Sequence, residues 1–508
     1  MNQIVAWLGT VVVCAIGVAG PALGATEPTP SYQPLVAAFH VHSTVSTGSL
    51  TLDELAERAE RMGIDALILS ENFVLRYEYG VLPLRGVFRR SVSLPSVVQH
   101  GIGRFLKEIE ETQARHPRVL MVPGVEVGPH YYWTGSLLDR NLTMHNTQRN
   151  LLVFGLAREE DYRALPVTGN DGSSQFGLAA VANMLPALLL LPALWLWRHR
   201  SYRPVRVGVV LHRVERRYRI PATGLAVAAL VLSANAWPFA TPVFSQYDAD
   251  LGDRPYQAVI DVVSVRGGVA VWSMPEARDV SVHSFGPLGT VTVKTDPYTD
   301  ILPRTTGYAG FGGVYQDTRT AAEPGGMWDR LLTDSLAARR TAPPFAYGEI
   351  AFHTPGEAGI ELNQVLNVLR VRERSVAGVV DAMRTGRVYA VAEPNRVLGL
   401  RLERFDIGTD DGERTATAGD VFTRNGAADV AIRVDVSGAA AGLKPVTLVI
   451  VRSGQVVART TGNLPLSQRF VDRALPVGQG AYYRVEVHGE GEILSNPIFV
   501  KPGPPGPS

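Results

Sequence analysis

The first half of the chain alternates short apolar runs with amphipathic segments. Residues 35–42 and 64–70 are apolar runs typical of buried strands. Between them, Thr51 and Glu54 form a capping-box pattern that opens a helix, and Gly63 ends it. The same alternation predicts helices at 102–114, 256–265, 327–339 and 376–384 and strands at 119–127, 150–156, 269–273 and 347–353. This pattern predicts an α/β fold built on a parallel sheet.

From about residue 397 the pattern changes to short strands of alternating polarity without helical segments between them. Strand candidates occur at 398–405, 429–436, 447–451, 455–460, 482–488 and 497–500. This spacing is typical of a small all-β sandwich, which we expect to fold independently over residues 397–501. The proline-rich end at 502–508 is predicted to be a disordered tail.

Two uncharged apolar stretches, at 176–197 and 220–239, interrupt the α/β pattern. Each is about 20 residues long, which is enough for a helix to cross a hydrocarbon core of about 30 Å. The connecting loop, 198–219, holds eight arginines and one acidic residue, and short loops of this kind stay cytoplasmic. Residues 176–239 are therefore predicted to form a transmembrane hairpin, and the alternative is a pair of buried core helices.

The N-terminal segment is also apolar. Residues 1–25 contain an apolar run that ends in small residues, which predicts an export signal peptide or a retained N-terminal anchor. Export would leave both sequences that flank the hairpin outside the cytoplasm, so that they can form one domain. We therefore expect a protein of the cytoplasmic membrane whose main domains are extracytoplasmic, with the lipid bilayer as a partner.

Length and composition narrow the range of functions. A chain of 508 residues is long enough for two or three domains. Its net charge of +1 gives no electrostatic basis for binding nucleic acid, which we do not expect as a partner. The only cysteine, Cys14, excludes an intrachain disulfide and cysteine-based zinc sites, so that a metal would need His, Asp or Glu ligands. No P-loop, nucleophile elbow or dinucleotide fingerprint is present.

His40 and His42 lie at the end of the first predicted strand. Residues two apart on a strand share a face, so both imidazoles should point the same way at the carboxyl end. Such a pair is suited to bind a metal, and the alternative is a structural pair in the core or on the surface.

Four segments resemble motifs of the PHP (polymerase and histidinol phosphatase) family: 40–43 (HVHS), 123–126 (PGVE), 267–276 (GGVAVWSMPE) and 348–353 (GEIAFH). The resemblance covers 35–166 and 246–395. It implies a distorted (β/α)7 PHP-like barrel, interrupted by the hairpin, with metal ions at its carboxyl end. Most characterised members of that family cleave phosphoesters.

Several positions depart from the family pattern. Asn72, Asn150 and Met274 stand where the family has ligands, and Thr47 replaces another. The resemblance leaves four metal ligands: His40, His42, Glu126 and His353. Glu71, Glu349 and His145 are the candidate substitutes. These residues suit one divalent ion such as zinc, manganese or iron rather than a trinuclear centre.

The resemblance implies a metal-dependent hydrolase that acts on a small-molecule or envelope phosphoester, and the predicted hairpin would tether it to the membrane. Glu71 and Glu349 are the candidate catalytic acid or base. Two other interpretations stay open: a degenerate, non-catalytic PHP-like barrel that binds or scaffolds in the cell envelope, and an envelope structural protein in which the β-sandwich is the working part.

Overall fold

The computed structural model describes residues 32–137, 139–284, 289–315, 319–395, 399–409, 415–426, 429–439 and 444–503. The predicted signal or anchor at 1–25 lies outside these residues, and so do residues 504–508 of the predicted tail. Pro502, which the sequence places in that tail, instead ends the last strand of the chain.

The helices agree closely with the predicted amphipathic segments. In the described residues they are α1 (Leu52–Met62), α2 (Val97–His100), α3 (Ile102–Arg115), α4 (Glu159–Arg163), α5 (Leu178–Met184), α6 (Leu190–Arg198), α7 (Arg219–Ala236), α8 (Arg254–Val265), α9 (Met327–Leu336) and α10 (Val376–Thr385). The predicted capping box of α1 is confirmed, since the Thr51 side chain accepts from the Glu54 N–H and the Glu54 carboxylate accepts from the Thr51 N–H. Gly63 ends this helix in the left-handed conformation, with φ 69°.

The strands are more numerous than the sequence predicts. Those of the first part are β1 (Gln33–Val41), β2 (Ala66–Leu69), β3 (Glu71–Asn72), β4 (Arg76–Gly80), β5 (Arg89–Ser93), β6 (Leu120–Val122), β7 (Gly124–Val127), β8 (Tyr132–Thr134), β9 (Thr143–His145), β10 (Leu151–Phe154), β11 (Arg200–Val207) and β12 (Val210–Arg217). The central strands are β13 (Val269–Trp272), β14 (Asp279–Ser284), β15 (Thr290–Thr295), β16 (Gly310–Val314), β17 (Phe345–Gly348), β18 (Val365–Val371) and β19 (Val388–Ala392). The C-terminal strands are β20 (Arg401–Gly408), β21 (Thr415–Thr417), β22 (Val421–Arg424), β23 (Val430–Ser437), β24 (Pro445–Arg452), β25 (Gln455–Asn463), β26 (Leu466–Asp472), β27 (Ala481–His488), β28 (Glu492–Ser495) and β29 (Ile498–Pro502).

The α/β part is built on two mixed sheets. One has the strand order β17-β16-β13-β10-β7-β3, and the other contains β19-β18-β1-β2-β6. The prediction of a parallel sheet is wrong at β10, which runs antiparallel to both β7 and β13, and at β1, which runs antiparallel to β18. The two sheets meet at the end of β1, where Val41 forms an isolated bridge with Phe352.

A closed (β/α)7 barrel is not found among the described strands. Residues 119–127, predicted as one strand, form β6 in one sheet and β7 in the other. Pro123 separates them, and proline has no N–H to donate to a continuous ladder. The predicted strand at 347–353 likewise ends at Gly348, in β17.

A small outer layer, which the sequence did not predict, covers the edge of the sheets at which β1 and β7 end. The antiparallel hairpin β4–β5 and the sheet β14-β15-β9-β8 enclose their own apolar cluster. Its buried members are Tyr131, Leu142, Met144 and Val291. The T-shaped pairs Tyr77–Tyr131 and Tyr79–Trp133, with centroids 5.3 and 5.2 Å apart, attach the hairpin to this layer.

The two apolar stretches form two helical spans, Leu178–Arg198 and Arg219–Ala236, that are long and apolar enough to cross a membrane. Only 11% of each apolar window is buried, so the alternative of buried core helices does not describe this structure. The arginine-rich segment between them is the exposed hairpin β11–β12. The outer ends of the spans are joined by a bridge between Gln175 and Thr241.

The C-terminal strands form two layers around a shared core that includes Ile407, Ile432, Val434 and Val485. One layer is continuous with the α/β part, because β28 pairs antiparallel with β19. Arg484, which is fully buried, also pairs with Asp329 of α9 at 2.9 Å.

Candidate metal centre

Three of the predicted ligands lie together where the two mixed sheets meet. Among the described residues, His40, His42 and Glu126 form a group whose ligand atoms all lie within 4.8 Å of one another. His40 Nε2 is 3.4 Å from Glu126 Oε1, and His42 Nε2 is 3.7 Å from Glu126 Oε2. Two ligands about 2.1 Å from one ion at a tetrahedral angle would be about 3.4 Å apart, so these separations fit a shared ion.

The backbone that presents the two histidines is irregular. His40 has φ 72°, and the pairing of β1 with β2 shifts register between Phe39 and Val41. The regular-strand argument for a shared face therefore does not describe this segment, although the two rings do converge, with centroids 5.1 Å apart. Met274 and Ala351, which line a cavity together with His40 and Glu126, also have positive φ values. Such strained residues cluster at functional sites, where the surrounding structure holds them in place.

The protonation states of the group follow from burial and charge. Burial holds the pKa of His42 well below its usual value, even though the Glu126 carboxylate is close. Burial also lowers the pKa of His40, but Glu126 and Glu349 outweigh that effect and raise it to about 10. Burial raises the pKa of Glu126, but the charge on His40 outweighs it and lowers that pKa to about 2. His42 is thus neutral, with a lone pair available on one ring nitrogen.

His42 Nε2 gives the direct test of whether a metal fits. This atom is buried and has no hydrogen-bond partner among the described residues. A buried polar atom without a partner is costly, and neutral imidazole nitrogen is a common ligand of divalent metals. With a second imidazole and an ionised carboxylate beside it, the group fits a divalent ion with His/carboxylate ligation.

Two asparagines hold the carboxylate of Glu126. Asn72 Nδ2 donates to Glu126 Oε2 at 2.7 Å, and Asn150 Nδ2 donates to Glu126 Oε1 at 2.7 Å. Thr47 Oγ1 in turn donates to Asn72 Oδ1 at 2.7 Å. Three of the positions that depart from the family's ligand pattern, Thr47, Asn72 and Asn150, therefore orient a candidate ligand here. Sequence reasoning noted these amides as lost ligands and missed their role, which depends on a contact across the fold.

His353 lies beside the group but is not a member of it. Its ring stacks on His42 with centroids 4.1 Å apart and an interplanar angle of 9°. Its Nδ1 is 2.9 Å from Thr47 Oγ1. His353 is half-buried and lines the same cavity as His40 and Glu126, so it stands at the mouth of the site.

Glu349 lies behind His40. Its Oε2 is 3.5 Å from His40 Nδ1 and accepts hydrogen bonds from Ser273 Oγ at 3.1 Å and Met274 N at 3.2 Å. Burial raises the pKa of this carboxyl. A Cβ at Gly312 would come within 2.6 Å of the Glu349 carboxylate, so the glycine makes room for it. This contact with the ring nitrogen opposite Nε2 suits a residue that orients a histidine ligand.

Glu71 is fully buried behind the other histidine. It accepts hydrogen bonds from the backbone N–H of Ser43 at 2.8 Å and from the hydroxyls of Ser43 and Ser46. Ser46 Oγ lies 3.4 Å from His42 Nδ1. Burial raises the pKa of Glu71. Glu71 therefore contacts His42 only through Ser46.

His145, the third candidate substitute, is not brought to the group. It lies in β9, where its ring stacks on Tyr132 at 4.8 Å and its Nε2 is 2.8 Å from Thr134 Oγ1.

Two members of the metal group, His40 and Glu126, lie at one end of a cavity of about 760 Å³. At that end, Thr47, Asn72 and His353 line the wall beside them. The outer layer supplies much of the remaining wall, and no sequence motif indicated its apolar side chains.

No protein-family profile and no curated protein matches this chain. A two-domain protein of Bacteroides vulgatus, described as containing a predicted PHP-like metal-dependent phosphoesterase, aligns with a TM-score of 0.36 at 11% identity, over 94% of this chain and 100% of the other.

Two further solved structures have lower scores. A protein of Bifidobacterium adolescentis assigned as a metal-dependent phosphoesterase aligns at a TM-score of 0.26 and 15% identity, over 62% of this chain and 87% of the other. An amidohydrolase of Chromobacterium violaceum aligns at 0.27 and 15%, over 63% and 88%. At such scores the chemistry has to be judged from the site's own residues.

Proposed function

We propose that this protein is a membrane-tethered, metal-dependent hydrolase of the PHP type that cleaves a phosphoester outside the cytoplasm. The observation that supports this most directly is His42 Nε2, a buried nitrogen without a hydrogen-bond partner among the described residues, in a group whose other members, His40 and Glu126, line one end of a large cavity. A structural pair of histidines would be expected to use its ring nitrogens in hydrogen bonds.

In this proposal His40, His42 and Glu126 would hold one divalent ion, and His353 stands beside them at the mouth of the cavity. The ion would supply a Lewis acid that polarises a phosphoryl oxygen and lowers the pKa of water. The protein's own residues fix the ligands. The Glu349 carboxylate, 3.5 Å from His40 Nδ1, would keep a proton on that nitrogen. The lone pair of His40 Nε2 would then be available to the ion.

The remaining polar residues have matching tasks. Ser46, held by Glu71, sets the orientation of the His42 ring. Asn72 and Asn150 each donate to one Glu126 oxygen and so fix the plane of that carboxylate. Glu71 and Glu349 are thus proposed as positioning residues, because neither lines the described part of the cavity in which a substrate would lie.

The membrane attachment is part of the proposal and rests on the exposed apolar surface of the spans Leu178–Arg198 and Arg219–Ala236. Leu178 and Ile220 are 91% and 88% exposed, and water is a poor solvent for such helices. Their basic connecting hairpin would lie on the cytoplasmic side.

A non-catalytic metal-binding domain is the second candidate. Asn72, Asn150 and Met274 occupy positions that other ligands would need, and this leaves one ion to do work that multi-metal sites divide. Elemental analysis of the purified protein, combined with hydrolysis of bis(4-nitrophenyl) phosphate, separates the two functions. Bound metal with turnover supports the hydrolase, and bound metal without turnover supports the binding module.

A further inference from the structure

The wall of the cavity changes character away from the metal group. Beyond that group, the outer layer lines the cavity with two kinds of side chain. The apolar or aromatic ones are Tyr77, Tyr131, Trp133, Met144 and Val291, and strands β4 and β14 add the polar side chains Arg76, Asp279, Ser281 and His283. A cavity of about 760 Å³ falls in the range of about 300–1,000 Å³ that takes an organic ligand of drug size. A phosphoryl group at His40 and Glu126 would leave this apolar space for the organic part of the substrate.

The hairpin β4–β5 connects that wall to the apolar helices. Its connecting loop, residues 81–88, exposes Leu82 (68%) and Phe88 (62%). At the tip, the Gly86 N–H donates to Asn235 Oδ1 in α7 at 2.8 Å. A Cβ at Gly86 would come within 2.1 Å of the Asn235 carbonyl oxygen, so the loop lies directly against the helix end.

This contact fixes the position of the loop relative to the end of α7. Asn235 is at the end of α7 next to the bridge between Gln175 and Thr241, where both spans join the rest of the protein. Trp237, just beyond, is 67% exposed, and tryptophan is enriched where helices leave the bilayer. If the spans cross a membrane, the exposed leucine and phenylalanine of the loop lie at its surface.

The large cavity also lies close to the end of α7. A smaller cavity of about 290 Å³ is lined by Asn235 and Trp237 on one side and by Arg76 and Tyr131 on the other. Arg76 and Tyr131 line the large cavity as well. The two cavities are therefore neighbours that share the wall residues Arg76 and Tyr131, one reaching the helix end and the other the metal group.

We infer that the substrate is a membrane amphiphile with a phosphoester headgroup, whose hydrocarbon chain lies against the apolar side chains of the cavity wall while the headgroup meets His40 and Glu126. This inference rests on the proposed function. In the reaction, water attacks phosphorus, a P–O bond to the water oxygen forms, the ester P–O bond breaks, and the leaving oxygen takes a proton. Loop 81–88 holds the cavity at the bilayer surface.

The test uses two esters that share a leaving group, ethyl and dodecyl 4-nitrophenyl phosphate, with the full-length protein in phosphatidylcholine nanodiscs. We expect kcat/KM to be at least about tenfold higher for the dodecyl ester, because burial of as few as two methylenes corresponds to about tenfold in an equilibrium constant. In Met144→Gln, which adds a polar group to the wall, and in Leu82→Ser/Phe88→Ser, the dodecyl-to-ethyl ratio should fall towards one.

The matched control is Val265→Ser/Val477→Ser, which removes two exposed valines outside both cavities and should keep the wild-type ratio. Metal content equal to wild type shows that each variant keeps a folded site. Turnover of both esters at equal rates, or a dodecyl-to-ethyl ratio that neither test variant changes, would contradict the inference of an amphiphilic substrate. Either result would still be consistent with the proposed hydrolase function. A metal-free protein that cleaves neither ester would overturn both proposals.

Discussion

Asn72 donates a hydrogen bond from its Nδ2 to Glu126 Oε2 over 2.7 Å, between residues 54 positions apart in the chain. Asn150 makes the same contact with the other carboxylate oxygen. The pair gives Glu126 a fixed plane beside two imidazoles. Orienting contacts of this kind are worth about 10- to 100-fold in metal affinity at well-studied sites.

Removing the orienting amide should weaken the site without destroying it. In Asn72→Ala we expect metal affinity to fall about tenfold, because Glu126 loses one of its two amide donors. The protein should still retain most of its metal when metal is in excess. Met274→Ala is the control, since its thioether is a poor ligand for a hydrolytic ion, and it should bind as wild type. Equal affinities in the two variants would show that the amide contact is incidental.

Removing a ligand should abolish binding. We expect His40→Ala and His42→Ala to lose bound metal and any phosphoesterase activity while they keep the wild-type circular dichroism, because water can fill the gap left by an imidazole. The measurement is elemental analysis after exposure to zinc, manganese and iron. Less than about a tenth of an equivalent of every metal in the wild-type protein would rule out the metal site, since a site of this ligand set should saturate.

Metal binding should depend on pH through His40. In the metal-free protein its pKa is raised to about 10, since Glu126 and Glu349 outweigh burial, so a proton occupies the ring at neutral pH. An ion must displace that proton, and we expect about one proton released at pH 7 and an affinity that rises about tenfold per pH unit until about pH 10.

Calorimetry in buffers of different ionisation enthalpy measures this release. Glu349→Gln removes one of the two carboxylates that hold the proton, so its affinity should level off at a lower pH than that of wild type. Binding with no proton release would contradict the assigned charge state of His40.

The Arg484–Asp329 pair should dominate the contact between the C-terminal strands and α9. Both side chains are buried, and the guanidinium also pairs with Glu486 and lies 4.8 Å from the Trp328 ring. Asp329→Ala should destabilise the protein by about 3–5 kcal/mol, because it leaves a buried charge short of its partner. Asp329→Ala/Arg484→Met/Glu486→Gln, which removes all three charges of the cluster, should recover part of that loss in urea denaturation. A triple variant that is less stable than the single one would mean that packing, not charge, controls this contact.

The hairpin makes a topological prediction. A reporter fused near Pro204 should be cytoplasmic, and fusions near Gln246 or after Lys501 should be exported, if residues 176–239 cross the membrane twice. A cytoplasmic C-terminus would contradict this topology and the extracytoplasmic site together.

The sequence by itself determined the features that depend on nearby residues. The capping box at Thr51 and the helical periodicity after it predicted α1, since caps and amphipathic faces are set within a few residues. The absence of charge predicted the two exposed apolar spans for the same reason. The spacing of His40 and His42, together with the family resemblance that added Glu126, also predicted the three residues that the structure brings together.

The tertiary structure alone decided which distant residues support that site and how the strands are divided. Asn72 reaches Glu126 across 54 positions, and Arg484 reaches Asp329 across 155, and no periodic pattern records such contacts. The bulge at His40 and the break at Pro123 changed the strand pairing, because the partner strands, not local propensity, fix register. The apolar cavity wall arose in the same way, from short strands that are stable only when packed on one another.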